Sequence, residues 1–312
     1  MFHLMKRKKE KEYYWKCSNK MKKSPTNKLI VILGPTASGK SDLAIKLAKK
    51  FNGEIISADS RQVYQEMDIG TAKASFPHYL IDIVKPNQEF TLAQYKKLAI
   101  KAIKDIQKRG RLPFLVGGTG LYIQAIVDNL QIPPVKPDKK LRAKLEKLTN
   151  QELCQQLKKL DPLSATTIDR HNRRRLIRAL EVCLITKKPF SEQRKKGQPL
   201  FNILQIGIKS NQKTLAQKIN QRIEKMLKAN LIEEVKRLIK KYGHKPYSMS
   251  GIGYQEIIPY LQGKTTLEQA KELIKIHTRQ YARRQMSWFK RDKRINWVKT
   301  ESEAQKLITR FL

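Results

Sequence analysis

The chain has 312 residues and sets 66 Lys and Arg against 27 Asp and Glu, a formal net charge of +39. That is too basic for an ordinary metabolic enzyme of small anions and points to a large polyanionic partner. With 40% hydrophobic and 30% charged residues the composition excludes wholesale disorder, and the length suggests two domains of roughly 150 residues. No apolar run of about 18 residues is present to span a bilayer, so a soluble protein with no membrane partner is expected. Cys17, Cys154 and Cys183 lie far apart without a C-x-x-C pair; they build neither a disulfide framework nor a zinc ribbon, and a reducing compartment fits.

Residues 1–27 form a basic N-terminal extension, rich in Lys with interspersed aromatics, that lacks the apolar segment of a secretory signal. It reads as disordered, and three accounts stay open: a true start at Met21, a basic arm that touches RNA, or a transit peptide, the last opposed by Glu10 and Glu12.

Residues 28–132 read as the first part of an α/β core. KLIVILG is a β-branched apolar run, GPTASGK a turn of small residues, and SDLAIKLAKKF places Leu43, Leu47 and Phe51 at helical spacing. The turn matches G-x-x-x-x-G-K-[ST] at Gly34, Gly39, Lys40 and Ser41, in the strand-loop-helix setting the motif requires. Its glycines let successive backbone N–H groups turn inward on phosphate oxygens, Lys40 adds a cation, Ser41 offers a hydroxyl to Mg²⁺, and the helix N-terminus is positive. Gly34, Pro35, Thr36, Ala37, Ser38, Gly39, Lys40 and Ser41 are therefore the expected diphosphate cradle.

Ligands of open α/β sheets sit outside the carboxyl ends of the strands. Two further strand-like runs, EIISADS and RLPFLVGGTG, end in Asp59 and Ser60 and in Gly117 to Gly120, and both should face the cradle. A nucleotide hydrolase would add a metal-holding acid after an apolar strand. Asp82 in HYLIDIV is the candidate of that kind, with a turn carboxylate at least as good an account.

From 133 to 200 the character changes to a helical insertion. PPVKPDKK reads as a proline-bounded linker, LRAKLEKL and LCQQLKKL have helical spacing, and NRRRLIRALEVCLI carries Arg173, Arg174, Arg175 and Arg178 within two turns. Arg175 and Arg178 share a face, with Leu176, Ile177 and Leu180 on the apolar side. Residues 201–312 return to the core: LFNILQIGI is strand-like, and TLEQAKELIKIHTRQYARRQMSWFKRD is a long amphipathic helix. Lys275, Arg279, Arg283 and Lys290 fall near one stripe of it, and Tyr281, Trp288 and Phe289 are placed either to stack on bases or to pack. The fold expected is thus an α/β, P-loop NTPase-like parallel sheet with helices on both faces, interrupted by a helical insertion domain.

In order, GPTASGKS, ISADSRQVYQEMDIGTAK, PHYLIDI, LVGGTGLYI, DPLSATTIDRHNRRRLIRALEV, SGIGYQE and TRQYARRQMSWFKRD resemble the tRNA dimethylallyltransferase (tRNA isopentenyltransferase) family of bacterial type, over about Lys28 to Arg291. The resemblance implies that the cradle takes dimethylallyl diphosphate rather than a nucleotide, with Mg²⁺. It also implies that the prenyl group passes to N6 of the adenosine 3′-adjacent to the anticodon, position 37, in tRNAs reading codons that start with U. A cytoplasmic monomer bound to the tRNA anticodon stem-loop would follow.

An exocyclic amine needs a proton acceptor as charge develops on nitrogen, and Asp59 is the candidate; Thr119 and Lys40 would stabilise the leaving diphosphate, and by resemblance Arg222 would add a further cation. The resemblance assigns tRNA contacts to Asp59, Ser60, Arg61, Gln62, Thr119, Arg142, Arg174, Arg175, Leu176, Ile177, Arg178, Ser250, Gly251, Ile252, Gly253, Tyr254 and Gln255. One departure stands out: the family commonly reads I-H-P-N-D before the arginine-rich helix, whereas this chain has Ile168, Asp169, Arg170, His171 and Asn172, and His171 reads as a surface or capping residue. The alternatives are a P-loop kinase or NTPase of nucleic-acid metabolism, with ATP in the cradle, and a noncatalytic RNA-binding protein.

Overall fold

A computed structural model describes residues 27–193 and 195–312. The readings made for the basic segment up to residue 26, Cys17 included, lie outside the described residues. The chain forms two compact units: one runs to Ile126 and resumes at Leu200, the other is Val127–Pro199.

The first unit is built on six parallel strands: β1 (Lys28–Leu33), β2 (Gly53–Ala58), β3 (His78–Tyr79), β4 (Leu112–Gly117), β5 (Asn202–Ile208) and β6 (Ile295–Val298), in the order β3-β2-β4-β1-β5-β6. Parallel strands are covered on both faces, which is why β1, β2 and β4 read as unbroken apolar runs. Register is fixed by Ile32 opposite Val116 and Ile206, and by Ser57 opposite Val116 from the other side. β3 is only two residues long because Leu80 and Asp82 adopt positive φ and turn the chain out of the sheet.

Helix α1 (Lys40–Lys50) connects β1 leftward to β2, whereas α2 (Leu92–Lys108) connects β3 rightward to β4. Right-handed crossovers in opposite directions put these helices on opposite faces. The α1 face is closed by the C-terminal helix: Ile30, Ile32, Phe114, Val116 and Ile206 share one core with Ala44 and Leu47 of α1 and with Ala304 and Ile308. Each of the Ile, Val, Leu and Phe side chains, fully buried, contributes about 1.5–3 kcal/mol. α2 begins at a reciprocal cap between Thr91 and Gln94 and lays Ala99, Ile103 and Ile106 against the sheet.

α3 (Gly120–Val127) follows β4 and leads into the second unit, which contains α4 (Lys139–Leu145), α5 (Asn150–Leu160), α6 (Pro162–Thr167), α7 (Arg173–Thr186) and α8 (Phe190–Gln193). Its core joins Leu145, Leu153, Leu157, Leu176, Ile177, Leu180 and Cys183. The unit starts earlier than the proline-rich segment at 133 because its two connecting segments pair with each other: the Gly197 N–H donates to Asp128 O at 3.1 Å and the Gln131 N–H to Lys195 O at 2.8 Å.

The returning chain adds α9 (Gln212–Lys228), α10 (Leu231–Tyr242), a short 3₁₀ turn (Tyr247–Ser250), α11 (Tyr254–Leu261), α12 (Leu267–Phe289), β6 and α13 (Glu301–Phe311). Among the described residues, no helix is long and apolar enough to cross a membrane.

Candidate active site at the carboxyl ends of the strands

The loop between β1 and α1 is shaped by two residues with left-handed backbone, Ala37 at φ 61 and Gly39 at φ 87. Gly39 is the position where a side chain would be strained, and Ala37 tolerates it as part of an anion-binding concavity. The Ser38 hydroxyl is buried and makes no hydrogen bond. Lys40 sits in the first turn of α1, and its Nζ donates to the Pro35 carbonyl at 3.2 Å. Burial brings its ammonium down to about 8, against the opposing pull of Asp59 and with a further push down from Arg222. Arg222, from α9, donates to the Thr36 hydroxyl at 3.3 Å; burial lowers its pKa and the Asp59 carboxylate works against that.

Asp59 and Thr119 follow β2 and β4, neighbours in the sheet, so their side chains emerge side by side. The Thr119 N–H donates to the Ala58 carbonyl at 3.1 Å, and the Ser60 N–H donates to Thr119 Oγ1 at 3.0 Å. Asp59 Oδ1 accepts the N–H groups of Arg61 and Gln62 at 2.8 and 3.4 Å. The turn-carboxylate and functional readings of Asp59 therefore coexist, since one oxygen shapes the turn and Oδ2 remains.

A buried amide ties this cluster together. Gln285 of α12 is 6% exposed; its Oε1 accepts the Thr36 N–H and its Nε2 donates to the Gly118 carbonyl, both at 2.8 Å. A Cβ on Gly118 would lie 2.2 Å from that nitrogen, and one on Gly120 would lie 2.4 Å from the Trp288 ring. The glycines of GGTG thus admit α12, the half-buried Trp288 ring packs against Gly120, and Phe289 is buried. Tyr281 lies one turn before Gln285, and burial together with the nearby Asp59 charge pushes its phenol up to about 12, against an opposing pull from the Thr119 hydroxyl. The spacing 281, 285, 288 is legible as one helix stripe, but its partner is not, and the basic stripe drew the sequence reading to the opposite side.

Several expected contact residues are engaged inside the protein. Arg61 holds the 3₁₀ turn, donating to the carbonyls of Tyr247 and Ser248 at 2.7 and 3.2 Å and to the Ser250 hydroxyl at 3.1 Å. Gln62 bridges the Ser57 hydroxyl and the Thr71 carbonyl at 3.0 and 3.2 Å. Tyr254 is buried, with its hydroxyl on Glu234 at 2.7 Å. Ile252 is half-buried, flanked by Gly251 and Gly253, and Gln255 is exposed. Glu234, which the sequence did not single out, also accepts the N–H groups of Asp68, Ile69 and Gly70 at 3.0, 2.8 and 3.1 Å. Asp82 is bound by the buried Lys73, which also reaches Asp68; the turn-carboxylate account of Asp82 is the one this geometry supports.

In the insertion, Leu176 and Ile177 are core residues, so their side chains are not a surface for RNA. Arg142 meets the fully buried Glu181 at 2.8 Å through both Nε and an Nη, and Arg178 meets it at 2.6 Å. Burial alone would push the Glu181 carboxyl up, but the hydrogen bonds from the two arginines hold it below its usual value. Arg174 and Arg175 are exposed. The turn without the family's proline is made by Asp169, whose Oδ1 accepts the His171 N–H at 2.9 Å, and by Asn172, which caps α7 on the Arg175 N–H at 3.3 Å. His171 is exposed, as expected. On α12, Lys275 and Arg279 both reach Glu272.

For Mg²⁺, the donor set is oxygen only: the Ser41 hydroxyl beside the cradle. Among the described residues no cluster of three or more His, Cys, Asp or Glu is present. That would suit an ion that keeps several waters and is held chiefly by substrate phosphates.

The parallel sheet and the loop at its centre define an α/β protein with a P-loop NTPase-like core. Residues 62–292 match the IPP transferase family and residues 27–79 the isopentenyl transferase family. A tRNA dimethylallyltransferase of Carboxydothermus hydrogenoformans is 46% identical over 297 residues, covering 91% of this chain and 96% of that protein. A crystal structure of the tRNA delta(2)-isopentenylpyrophosphate transferase of Staphylococcus epidermidis superposes with a TM-score of 0.66 at 41% identity, covering 92% of this chain and 100% of that one. A eukaryotic dimethylallyltransferase acting on tRNA gives a TM-score of 0.73 at 33% identity, over 84% and 69% of the two chains. The chain belongs to the tRNA dimethylallyltransferase family, a family of prenyltransferases.

Proposed function

We propose that the protein transfers the dimethylallyl group of dimethylallyl diphosphate to N6 of adenosine 37 in tRNAs reading codons that start with U, acting as a cytoplasmic monomer. The observation that carries this reading is the meeting of two sets of groups at the strand ends: a diphosphate cradle with the cations Lys40 and Arg222, and the acceptor and donor pair Asp59 and Thr119. The family relation supports the same substrates.

The N6 nitrogen forms a bond to the allylic carbon while the bond from that carbon to the bridging diphosphate oxygen breaks. The proton lost from nitrogen passes to Asp59 Oδ2, because Oδ1 is occupied by two backbone N–H groups. Lys40, Arg222 and the Thr119 hydroxyl face the charge that grows on the leaving oxygen. Mg²⁺, when bound at Ser41, supplies neutralisation of that same charge. Adenosine in a loop is extracted at a cost of a few kcal/mol, less than from a duplex. The exposed Arg174 and Arg175 of the insertion and the glycine bend at 251–253 are the surfaces proposed for the anticodon stem-loop, and the exposed Gln255 flanks that bend.

The test is transfer of label from dimethylallyl diphosphate into unmodified tRNA with Mg²⁺ present, with labelled ATP as the rival donor. Label in adenosine 37 from the first donor is expected; label from ATP alone establishes the kinase reading instead. Asp59→Asn is expected to lower turnover about 10²-fold or more, the range for loss of a general base, with both substrates still bound.

A further inference from the structure

Among the described residues, every Phe and Trp and all tyrosines but one are buried or half-buried; Tyr247 is the exception, with 57% of the residue exposed. It opens the 3₁₀ turn that leads into the glycine bend, and no packing in the core accounts for a ring left so far in water. In a chain of net charge +39, the chemistry that uses an exposed aromatic ring beside basic groups is base stacking on single-stranded RNA.

The ring is fixed before any RNA arrives. The Arg61 guanidinium lies over it, 4.6 Å from its centroid. That guanidinium is itself held, because its donors go to the Tyr247 carbonyl at 2.7 Å, the Ser248 carbonyl at 3.2 Å and the Ser250 hydroxyl at 3.1 Å. The turn beneath is tied down as well: the Ser250 hydroxyl donates to the Tyr247 carbonyl at 2.8 Å, and the buried Ser248 hydroxyl donates to the Pro86 carbonyl at 2.8 Å. A braced cation over an exposed ring makes a flat, preorganised surface, so a base that stacks there meets little further cost of ordering the protein.

The location of the ring decides which base it meets. The Arg61 N–H donates to Asp59 Oδ1 at 2.8 Å, so one arginine side chain separates the Tyr247 ring from the proposed proton acceptor. A group that close to the reacting centre, yet outside it, faces a neighbour of the extracted nucleotide. Extraction of an adenosine deprives its neighbours of a stacking partner, and an aromatic ring supplies a replacement.

We propose that Tyr247 is a substrate-binding residue: its ring stacks on the base of a nucleotide adjoining the target adenosine, at position 36 or 38, and so holds the loop open for transfer. The inference rests on the reading of the strand-end site as one that prenylates a tRNA loop.

The test uses the full chain, saturating dimethylallyl diphosphate and a synthetic anticodon stem-loop RNA. Tyr247→Leu is expected to raise the KM for RNA about tenfold, within the range for loss of one base–aromatic stack, with donor KM and melting temperature unchanged. Tyr247→Phe and Tyr247→Trp keep a stacking face and should keep the low KM. With an RNA that lacks the base at 36, or one that lacks it at 38, Tyr247→Leu should add nothing further in one of the two cases, which identifies the stacked nucleotide. An unchanged KM for RNA in Tyr247→Leu overturns the proposal, and so does a tenfold loss that persists undiminished with both abasic RNAs. A loss in Tyr247→Phe equal to that in Tyr247→Leu assigns the effect to the hydroxyl and overturns the stacking role. A wild-type chain that puts no prenyl label into any of these RNAs overturns the underlying reading and the proposal with it.

Discussion

Donor binding should weaken as pH rises through about 8, because the cradle's lysine loses its proton there. Burial lowers Lys40 from 10.5 to about 8 in the ligand-free protein, whereas a bound diphosphate favours the ammonium. Above about 8 the protein must take up a proton to bind, so affinity falls with the protonated fraction, about tenfold per pH unit. By pH 9.5 the loss is about thirtyfold, and if the diphosphate restores the ordinary value of 10.5 the total available is about three-hundredfold. The ligand-free fold responds with the opposite sign. A lysine whose folded pKa is depressed costs stability while it is charged, and that cost disappears as pH rises from about 8 toward 10.5. Isothermal titration with the unreactive thiodiphosphate analogue, in two buffers of different ionisation enthalpy, measures both the affinity and the proton uptake. Lys40→Met should bind weakly and without this pH dependence. Affinity that stays flat from pH 7 to 9.5, or a dependence that survives in Lys40→Met, would refute the reasoning.

Glu234→Gln should destabilise the core by about 3 kcal/mol, since one carboxylate accepts three N–H groups and a phenol and the amide turns an NH₂ toward donors. A melting temperature lowered by roughly 5–10 °C with little change in donor affinity is the expected result, and unchanged melting would contradict it. Gln285→Leu leaves the Thr36 N–H and the Gly118 carbonyl unpaired; donor KM should rise while tRNA affinity holds, and equal losses in both would show that α12 acts on the whole site instead. Arg175→Ala should reduce the salt dependence of tRNA binding by about one unit of slope. Arg178→Ala, which leaves the buried Glu181 with one arginine fewer, should lower the melting temperature of the insertion; the reverse pattern would exchange their roles.

The periodic and motif-bearing parts of this protein were legible without a structure. An apolar strand, a small-residue loop and an amphipathic helix in succession leave little freedom, so the cradle at 34–41, the strands ending before Asp59 and at Gly117, and the interrupted core followed from local pattern. Side-chain type also pointed to the roles proposed for Asp59 and Lys40, because the residues that can accept or supply a charge are few. What the sequence could not decide is which partner each polar side chain meets. Arg142 and Arg178 read as RNA-facing cations until Glu181, distant in the sequence from Arg142, is seen buried between them. Arg61 and Gln62 read as contacts from their motif alone, and only the fold adds the 3₁₀ turn and the Thr71 carbonyl as their partners. Leu176 and Ile177 sit in a basic motif, but burial is a property of the packed helices α5 and α7 and not of the motif. Gln285 and Glu234 act at separations of 165 residues or so. A hydrogen bond across that distance leaves no period in the chain, and only the closure of the fold brings its two ends together.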